Sequence, residues 1–240
     1  MAPRLEEVAP LVGGDVFDEY GRVIGVLVSF SSNVNGIIEY VEVKYTDRGL
    51  ERIEGDRLRI EQGRLVVTPP WKHRAVKIIE ALDRAYRRRN ALEQITAGDL
   101  PAEIVEGMKR KIEDEIKRLK VKADESMAEI RERLGKLDDE LTHVASAIAF
   151  LQMSYFSGEL GDRNFEHGMS HLRKLKQSLI SEKEDAKRVM EKLDKTLKAL
   201  TSPAAKITHA PKHKTVEPER VVQPSVPAKD SGILSVKVED

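Results

Sequence analysis

The sequence predicts an α+β protein: a small N-terminal β-barrel, then a long antiparallel coiled-coil helical hairpin and a disordered tail. Three observations predict this fold class. Eight of the 15 glycines lie between Gly13 and Gly63, as expected for tight turns between short strands. Apolar residues then follow a heptad spacing as far as residue 200. Five of the ten prolines fall within 201–230.

The composition sets limits on the class of protein. The 240 residues include 41 Lys and Arg, 41 Asp and Glu, and only 5% aromatic residues, a balance typical of solvated helices. The lack of Cys excludes disulfides and thiolate metal sites. No stretch reaches the roughly 20 apolar residues of a membrane span, and residues 1–14 do not resemble a signal peptide. We expect a cytoplasmic protein.

Residues 1–70 form the predicted β-domain. Short β-rich runs alternate there with turns, which end on Gly21, Gly49 and Gly63. The predicted strands are 22–28, 37–43, 57–60 and 64–67. Four to six short strands in so few residues predict a small barrel or sandwich.

Residues 71–200 form the predicted helical region, with helices at about 71–95, 100–157 and 162–200. Asp99 is expected as the N-cap of the second helix, with Pro101 near its first turn, and Asp162 as the N-cap of the third. A short loop at Gly158 should fold the last two helices back antiparallel.

Two sets of heptad positions predict the coiled coil. In the second helix they are Met127, Ile130, Leu134, Leu137, Leu141, Val144, Ile148, Leu151 and Tyr155. In the third helix they are Leu172, Leu175, Leu179, Ala186, Val189, Leu193 and Leu200, with polar Glu182 and Thr196 at two further heptad positions.

Two apolar stretches of the second helix need partners. The third helix is too short to cover the stripe Ile104, Met108, Ile112, Ile116 and Leu119. That stripe packs either on the 71–95 helix or on a second copy, and oligomerisation is the natural inference. Residues 144–156 contain no charge and are expected to be buried between helices, or else to mark a self-association surface.

The tail has two parts, a predicted disordered linker at 201–230 and a β-strand peptide at 231–240. Leu234, Val236 and Val238 alternate with polar residues, as in a strand. A tethered strand of this kind suits addition to the sheet edge of another protein. The alternative is that it returns to the edge of this protein's own barrel.

No catalytic or cofactor-binding constellation is recognisable, so we expect a non-enzymatic protein without cofactor or metal. His167 and His171 have the spacing of two metal ligands on a helix, but they lack the glutamate of a His-Glu-x-x-His motif and are interpreted as ordinary histidines.

Two adjoining segments are strongly basic. Residues 71–95 and 109–122 each carry seven Lys or Arg against three Asp or Glu, whereas residues 1–70 carry 8 against 12. These segments either bind a polyanion such as DNA, or an anionic membrane, or are solvated helix faces. The candidate polyanion-binding residues are Arg84, Arg87, Arg88, Arg89, Lys109, Arg110 and Lys111.

The β-domain around residues 14–25, which read GDVFDEYGRVIG, resembles a PRC-barrel. Barrel, charged coiled-coil hairpin, Pro-rich linker and terminal β-peptide together resemble the CdvA family of archaeal cell-division proteins, over nearly all of the chain. The resemblance implies that the chain forms dimers and filaments, and that these associate with the membrane at the mid-cell division site.

The resemblance also implies recruitment of the ESCRT-III-like protein CdvB, to whose winged-helix domain the C-terminal peptide adds a strand. In this sequence the implied contact residues are Ile233, Leu234, Val236, Lys237, Val238 and Glu239. Leu234, Val236 and Val238 would fill pockets, and the two charged residues would lie at the rim. The family has also been associated with DNA, so the alternative function is a nucleoid-associated DNA-binding protein.

Overall fold

A mixed β-sheet and three long helices make up the part of the chain that the computed structural model describes, residues 2–45, 48–95 and 101–201. The predicted linker beyond Thr201 and the predicted C-terminal strand lie outside these residues. Within the described residues no helix has a stretch long and apolar enough to cross a bilayer.

Six strands form the sheet. They are β1 (Asp15–Asp18), β2 (Val23–Ser32), β3 (Ile38–Tyr45), β4 (Gly49–Glu54), β5 (Leu58–Glu61) and β6 (Arg64–Val67). Their order across the sheet is β4-β3-β2-β1-β6-β5, and every pair is antiparallel except β1 with β6. Alternate apolar residues such as Leu27, Val43 and Ile53 form its core, which a short N-terminal helix, α1 (Leu5–Val8), seals with buried Val8.

The prediction of a closed barrel is wrong: the sheet is open, with β4 and β5 at its edges. The physical reason is the corner between these strands, where a 3-10 turn, Gly55–Arg57, directs β5 onto β6 instead of onto β4. A Cβ on Gly55 would lie 2.0 Å from the carbonyl oxygen of Ile38, so the corner requires glycine. The predicted turns at Gly21, Gly49 and Gly63 are present, each with a positive φ.

Three long helices follow the sheet: α2 (Pro70–Ile95), α3 (Ala102–Phe156) and α4 (Asp162–Thr201). Gly158, with φ of 79°, ends the turn after α3 as predicted. The starts of the last two helices differ slightly from the prediction. Pro101, expected in the first turn, is the N-cap of α3, and Asp162, expected as an N-cap, is the first residue of α4. Asp99 lies outside the described residues.

The antiparallel packing of α3 on α4 follows the heptad positions. Ile130, Leu137, Leu179 and Leu193 are each at most 1% exposed. The rings of Tyr155 and Phe165 stack with centroids 4.2 Å apart beside the turn that joins the two helices. The hairpin that the heptads predict is therefore present.

Helix α2 covers most of the α3 stripe that α4 does not reach. Its apolar face, Trp71, Ala75, Ile79, Leu82 and Ala85, packs in one cluster with Ile116, Leu119 and Ala123 of α3 and with Ala186, Val189 and Leu193 of α4. Of the two predicted partners, α2 therefore packs on this stripe within the chain. The cover is incomplete, because Ile104 and Met108 stay about half exposed, at 49% and 48%.

Candidate functional site

The most highly organised polar site joins the sheet to the helices, and we call it the joint. It consists of Asp18, Glu19, Tyr20 and Arg22 from the β1–β2 turn, Trp71 and Lys72 from α2, Arg133 from α3, and Ser178, Glu182 and Asp185 from α4.

The β1–β2 turn fixes the orientation of the Arg22 side chain. Asp18 Oδ1 accepts hydrogen bonds from the backbone N–H groups of Tyr20 and Arg22, both at 2.9 Å. Its Oδ2 accepts from Arg22 Nε at 2.6 Å. These bonds hold the guanidinium so that its Nη2 donates to Glu182 Oε2 at 2.5 Å, across 160 residues of sequence.

Glu182 lies at the centre of the joint, with its side chain only 2% exposed. Arg133 donates from Nε to Oε1 at 2.7 Å and from Nη2 to Oε2 at 2.9 Å, which is the strong bidentate geometry. Trp71 Nε1 donates to Oε1 at 3.4 Å. Two cations from different layers of the fold therefore neutralise one buried carboxylate.

The pKa values at the joint follow from burial and these partners. Burial alone would raise the pKa of Glu182, but the Arg133 hydrogen bonds and the charges of Arg22 and Arg133 outweigh it and hold that pKa below its usual range. Burial raises the pKa of the Tyr20 hydroxyl, and so does neighbouring Asp185. The Tyr20 hydroxyl therefore stays protonated and donates to Asp185 Oδ2 at 3.0 Å.

A second set of contacts supports the same turn. Lys72 Nζ lies 2.7 Å from Asp185 Oδ2 and also pairs with Glu19. Thr68 Oγ1 donates to Glu19 Oε1 at 2.6 Å, and Ser178 Oγ donates to the Tyr20 carbonyl at 2.8 Å. The residues of the joint thus fix the sheet against α2 and α4.

A cavity of about 670 Å³ opens beside the joint. Arg22, Arg133 and Glu182 line it, together with further cations and carboxylates such as Arg57 and Glu140. Its three central groups are paired with one another, so the cavity is part of the structural joint. Among the described residues, no cluster of three or more His, Asp or Glu has the arrangement of a metal site.

Sequence reasoning missed the joint, although one signal for it was visible. Glu182 occupies a heptad position, where a charged residue faces the helix partner and requires a counter-ion. That signal could not identify Arg22 as a partner, because the pairing depends on how the sheet packs on the helices.

The predicted basic residues lie on exposed helix faces. Arg84, Arg87 and Arg88 of α2 are exposed, and so are Lys109, Arg110 and Lys111 of α3. Arg89 is half-buried, with its guanidinium 5.4 Å from the centre of the Tyr86 ring. Because α2 and α3 are antiparallel, with Arg74 paired to Glu129, both segments lie towards the same end of this helix pair.

The uncharged run 144–156 is less buried than predicted. Val144 contacts α4, but Phe150, Met153 and Phe156 are 64%, 60% and 80% exposed. The run adjoins the turn, where only one face of α3 meets α4, so its other face remains uncovered. We call Phe150, Met153 and Phe156 the apolar tip.

The remaining candidates are two histidines and the C-terminal peptide. His167 and His171 are exposed on α4, with their Nε2 atoms 3.2 Å apart. The predicted partner-binding residues, Ile233, Leu234, Val236, Lys237, Val238 and Glu239, lie outside the described residues.

An α+β protein with a buried charged joint and a heptad-patterned hairpin belongs to the class of coiled-coil proteins. A family model described as a CdvA-like coiled-coil domain matches residues 70–218, which include all three long helices. This match covers more than half of the sequence, and the chain belongs to the CdvA-like coiled-coil family. The resemblance inferred from the sequence is thereby confirmed.

A second comparison extends beyond the three long helices. Cell division protein A of Sulfolobus acidocaldarius is 25% identical over 191 residues, which cover 79% of this chain and 80% of the relative. The similarity therefore spans most of both proteins and links the chain to a protein of cell division.

Proposed function

We propose that this chain is a non-enzymatic scaffold of cell division, which self-assembles at the membrane of the mid-cell division site and recruits the ESCRT-III-like protein CdvB. The observation that carries the proposal is the family match over α2, α3 and α4. The joint supports it, because its charged groups are engaged in holding the sheet to the helices.

Recruitment is assigned to the C-terminal strand pattern at 233–239. Backbone hydrogen bonds along an added strand give affinity, and alternate side chains give specificity. Self-assembly is supported by the apolar tip, because exposed apolar surface of this kind marks interaction sites.

Calorimetric titration of the full chain with CdvB tests the recruitment. Val236→Asp places a carboxylate where an apolar pocket is expected, and we expect a loss of about tenfold or more in affinity. Ser235→Asp is the matched control, because it adds the same charge on the alternate, solvent-facing side of the strand. Wild-type affinity in the Val236→Asp chain would contradict the assignment.

A second candidate function is DNA binding. It is supported by the exposure of Arg87 and Arg88 on α2 and of Lys109, Arg110 and Lys111 on α3, towards the same end of the helix pair. Cations on one face can neutralise successive phosphates without reading bases.

A further inference from the structure

Strand β5 has a free edge that is suited to accept another strand. Its turn into β6 has positive φ at both central residues, 51° at Gln62 and 74° at Gly63, which defines a two-residue type I′ hairpin. In such a hairpin the flanking pair Glu61 and Arg64 is hydrogen-bonded. Ile60, one position further along, belongs to a non-hydrogen-bonded pair, so its N–H and C=O point away from β6.

A groove of about 730 Å³ lies beside this edge. Arg59, Ile60 and Glu61 of β5 form one wall. Residues Ala2, Pro3 and Arg4 form the other, and they are attached to the start of β3 by the Arg4–Ile37 bridge. Among the described residues, no strand occupies the space between the two walls. One added strand would therefore pair with β5 and lie between the two walls.

We propose that the C-terminal segment 233–239 of a second copy of this chain adds to the edge of β5 and fills this groove. The segment has the required pattern, with Leu234, Val236 and Val238 on one side and Ser235 and Lys237 on the other. Its Glu239 is opposite in charge to exposed Arg4 and Arg59, although Arg59 also lies 3.8 Å from Glu19, and its Lys237 is opposite in charge to Glu7 and Glu61 of the same groove. The proposal rests on the self-assembly in the proposed function, and it names the surface through which two copies would contact each other.

The place where the described chain ends favours a second copy over the same chain. Helix α4 contacts the β1–β2 turn through Ser178, Glu182 and Asp185. It then continues beside α2 for 16 residues to Thr201, about 24 Å past the joint and away from its own sheet. One strand and one groove per copy make a head-to-tail contact, which generates open assemblies instead of closed dimers.

Disulfide trapping in the full-length protein tests the contact, because the natural chain has no cysteine. Arg59 is 59% exposed on β5, and a chain with Arg59→Cys is mixed with a second chain that carries Ser235→Cys or Lys237→Cys. Cα atoms on neighbouring strands come within the distance that a disulfide spans. Lys174→Cys, at an exposed position of α4, replaces Arg59→Cys in the control mixture.

We expect the Arg59→Cys mixture to form crosslinked heterodimers at least about tenfold faster than the control, because strand addition raises the local thiol concentration. Equal rates for the two mixtures would overturn the proposal. A chain that carries both Arg59→Cys and Lys237→Cys should form crosslinked ladders. Crosslinking within single chains only would also overturn it, because the tail would then occupy its own groove.

The same assay separates this proposal from CdvB recruitment. If CdvB recruitment and the contact between copies both use segment 233–239, excess CdvB competes for that segment and slows crosslinking. Crosslinking that CdvB does not affect still supports the contact between copies, whereas it contradicts recruitment through this segment. The Arg59→Cys chain has an unaltered tail, and its calorimetric titration with CdvB measures recruitment alone.

Discussion

At the scale of single residues, Glu182 explains how a charged side chain occupies a heptad position of a coiled coil. The carboxylate is buried, but Arg22 reaches it from the sheet and Arg133 from α3. A buried charge is tolerated when its partners are hydrogen-bonded and fixed, and removal of one partner leaves the others uncompensated. Glu182 thus couples the packing of α3 on α4 to the position of the sheet.

The Glu182→Ala variant should lose about 3 kcal/mol of unfolding free energy, because Arg22 and Arg133 are partly buried and lose the carboxylate that they share, keeping only Asp18 and Glu140 as partners. Urea unfolding followed by the fluorescence of Trp71, which donates to Glu182, measures the loss. Glu184→Ala is the control, since Glu184 is exposed on the same helix and should change stability by no more than about 0.5 kcal/mol. Similar stabilities of the two variants would show that the joint is energetically unimportant.

The pH dependence of stability tests the charge of Glu182 separately. The folded pKa lies below the ordinary value of about 4.3, so the stabilisation is fully present above that pH. It is lost as the pH falls through the folded pKa. The difference in unfolding free energy between wild type and Glu182→Gln should therefore shrink below about pH 4.3. A difference that is constant down to about pH 3 would mean that the carboxylate charge is not its source.

At the scale of elements, the sequence predicted best what depends on local spacing. The heptads define α3 and α4 because a 3.5-residue repeat is set within each helix. The closure of the sheet was predicted wrongly because it depends on which strands meet at a distance. For the run 144–156 the sequence left burial and a self-association surface both open, because an uncharged run does not reveal how many neighbours its helix has.

The basic segments of α2 and α3 carry the prediction for the second candidate function. A chain with Arg87→Glu and Arg88→Glu should bind duplex DNA more weakly than wild type. The slope of log affinity against log salt should fall by about one for each phosphate that the protein no longer neutralises. Fluorescence anisotropy with labelled DNA at several salt concentrations measures both quantities.

The matched control carries Lys174→Glu and Lys176→Glu, an equal change of charge at exposed positions of α4. It should retain most of the affinity, because these residues lie outside both basic segments. An equal reduction of affinity in the two variants would show that only net charge matters and would contradict a DNA-binding face on α2.

At the scale of the whole molecule, the joint makes one body of the sheet and the helices in residues 2–201. Tyr20 of the β1–β2 turn packs against the apolar cluster that α2, α3 and α4 share. The sequence could not reveal this union, since Arg22 and Glu182 are 160 residues apart and neither has a local pattern that indicates the other. Within the described residues, the β1–β2 turn contacts α2 through Lys72 and α4 through Glu182 and Asp185.

This union predicts a single cooperative unfolding transition that two independent signals should report identically. Trp71 is the only tryptophan, is 5% exposed and donates to Glu182, so its fluorescence reports the joint, whereas far-ultraviolet ellipticity reports the helices. In wild type the two urea transitions should coincide. In Glu182→Ala the fluorescence transition should move to lower urea, because the missing counter-ion weakens the contact between sheet and helices first. Glu184→Ala should keep the transitions together, and separated transitions in wild type would contradict a single cooperative body.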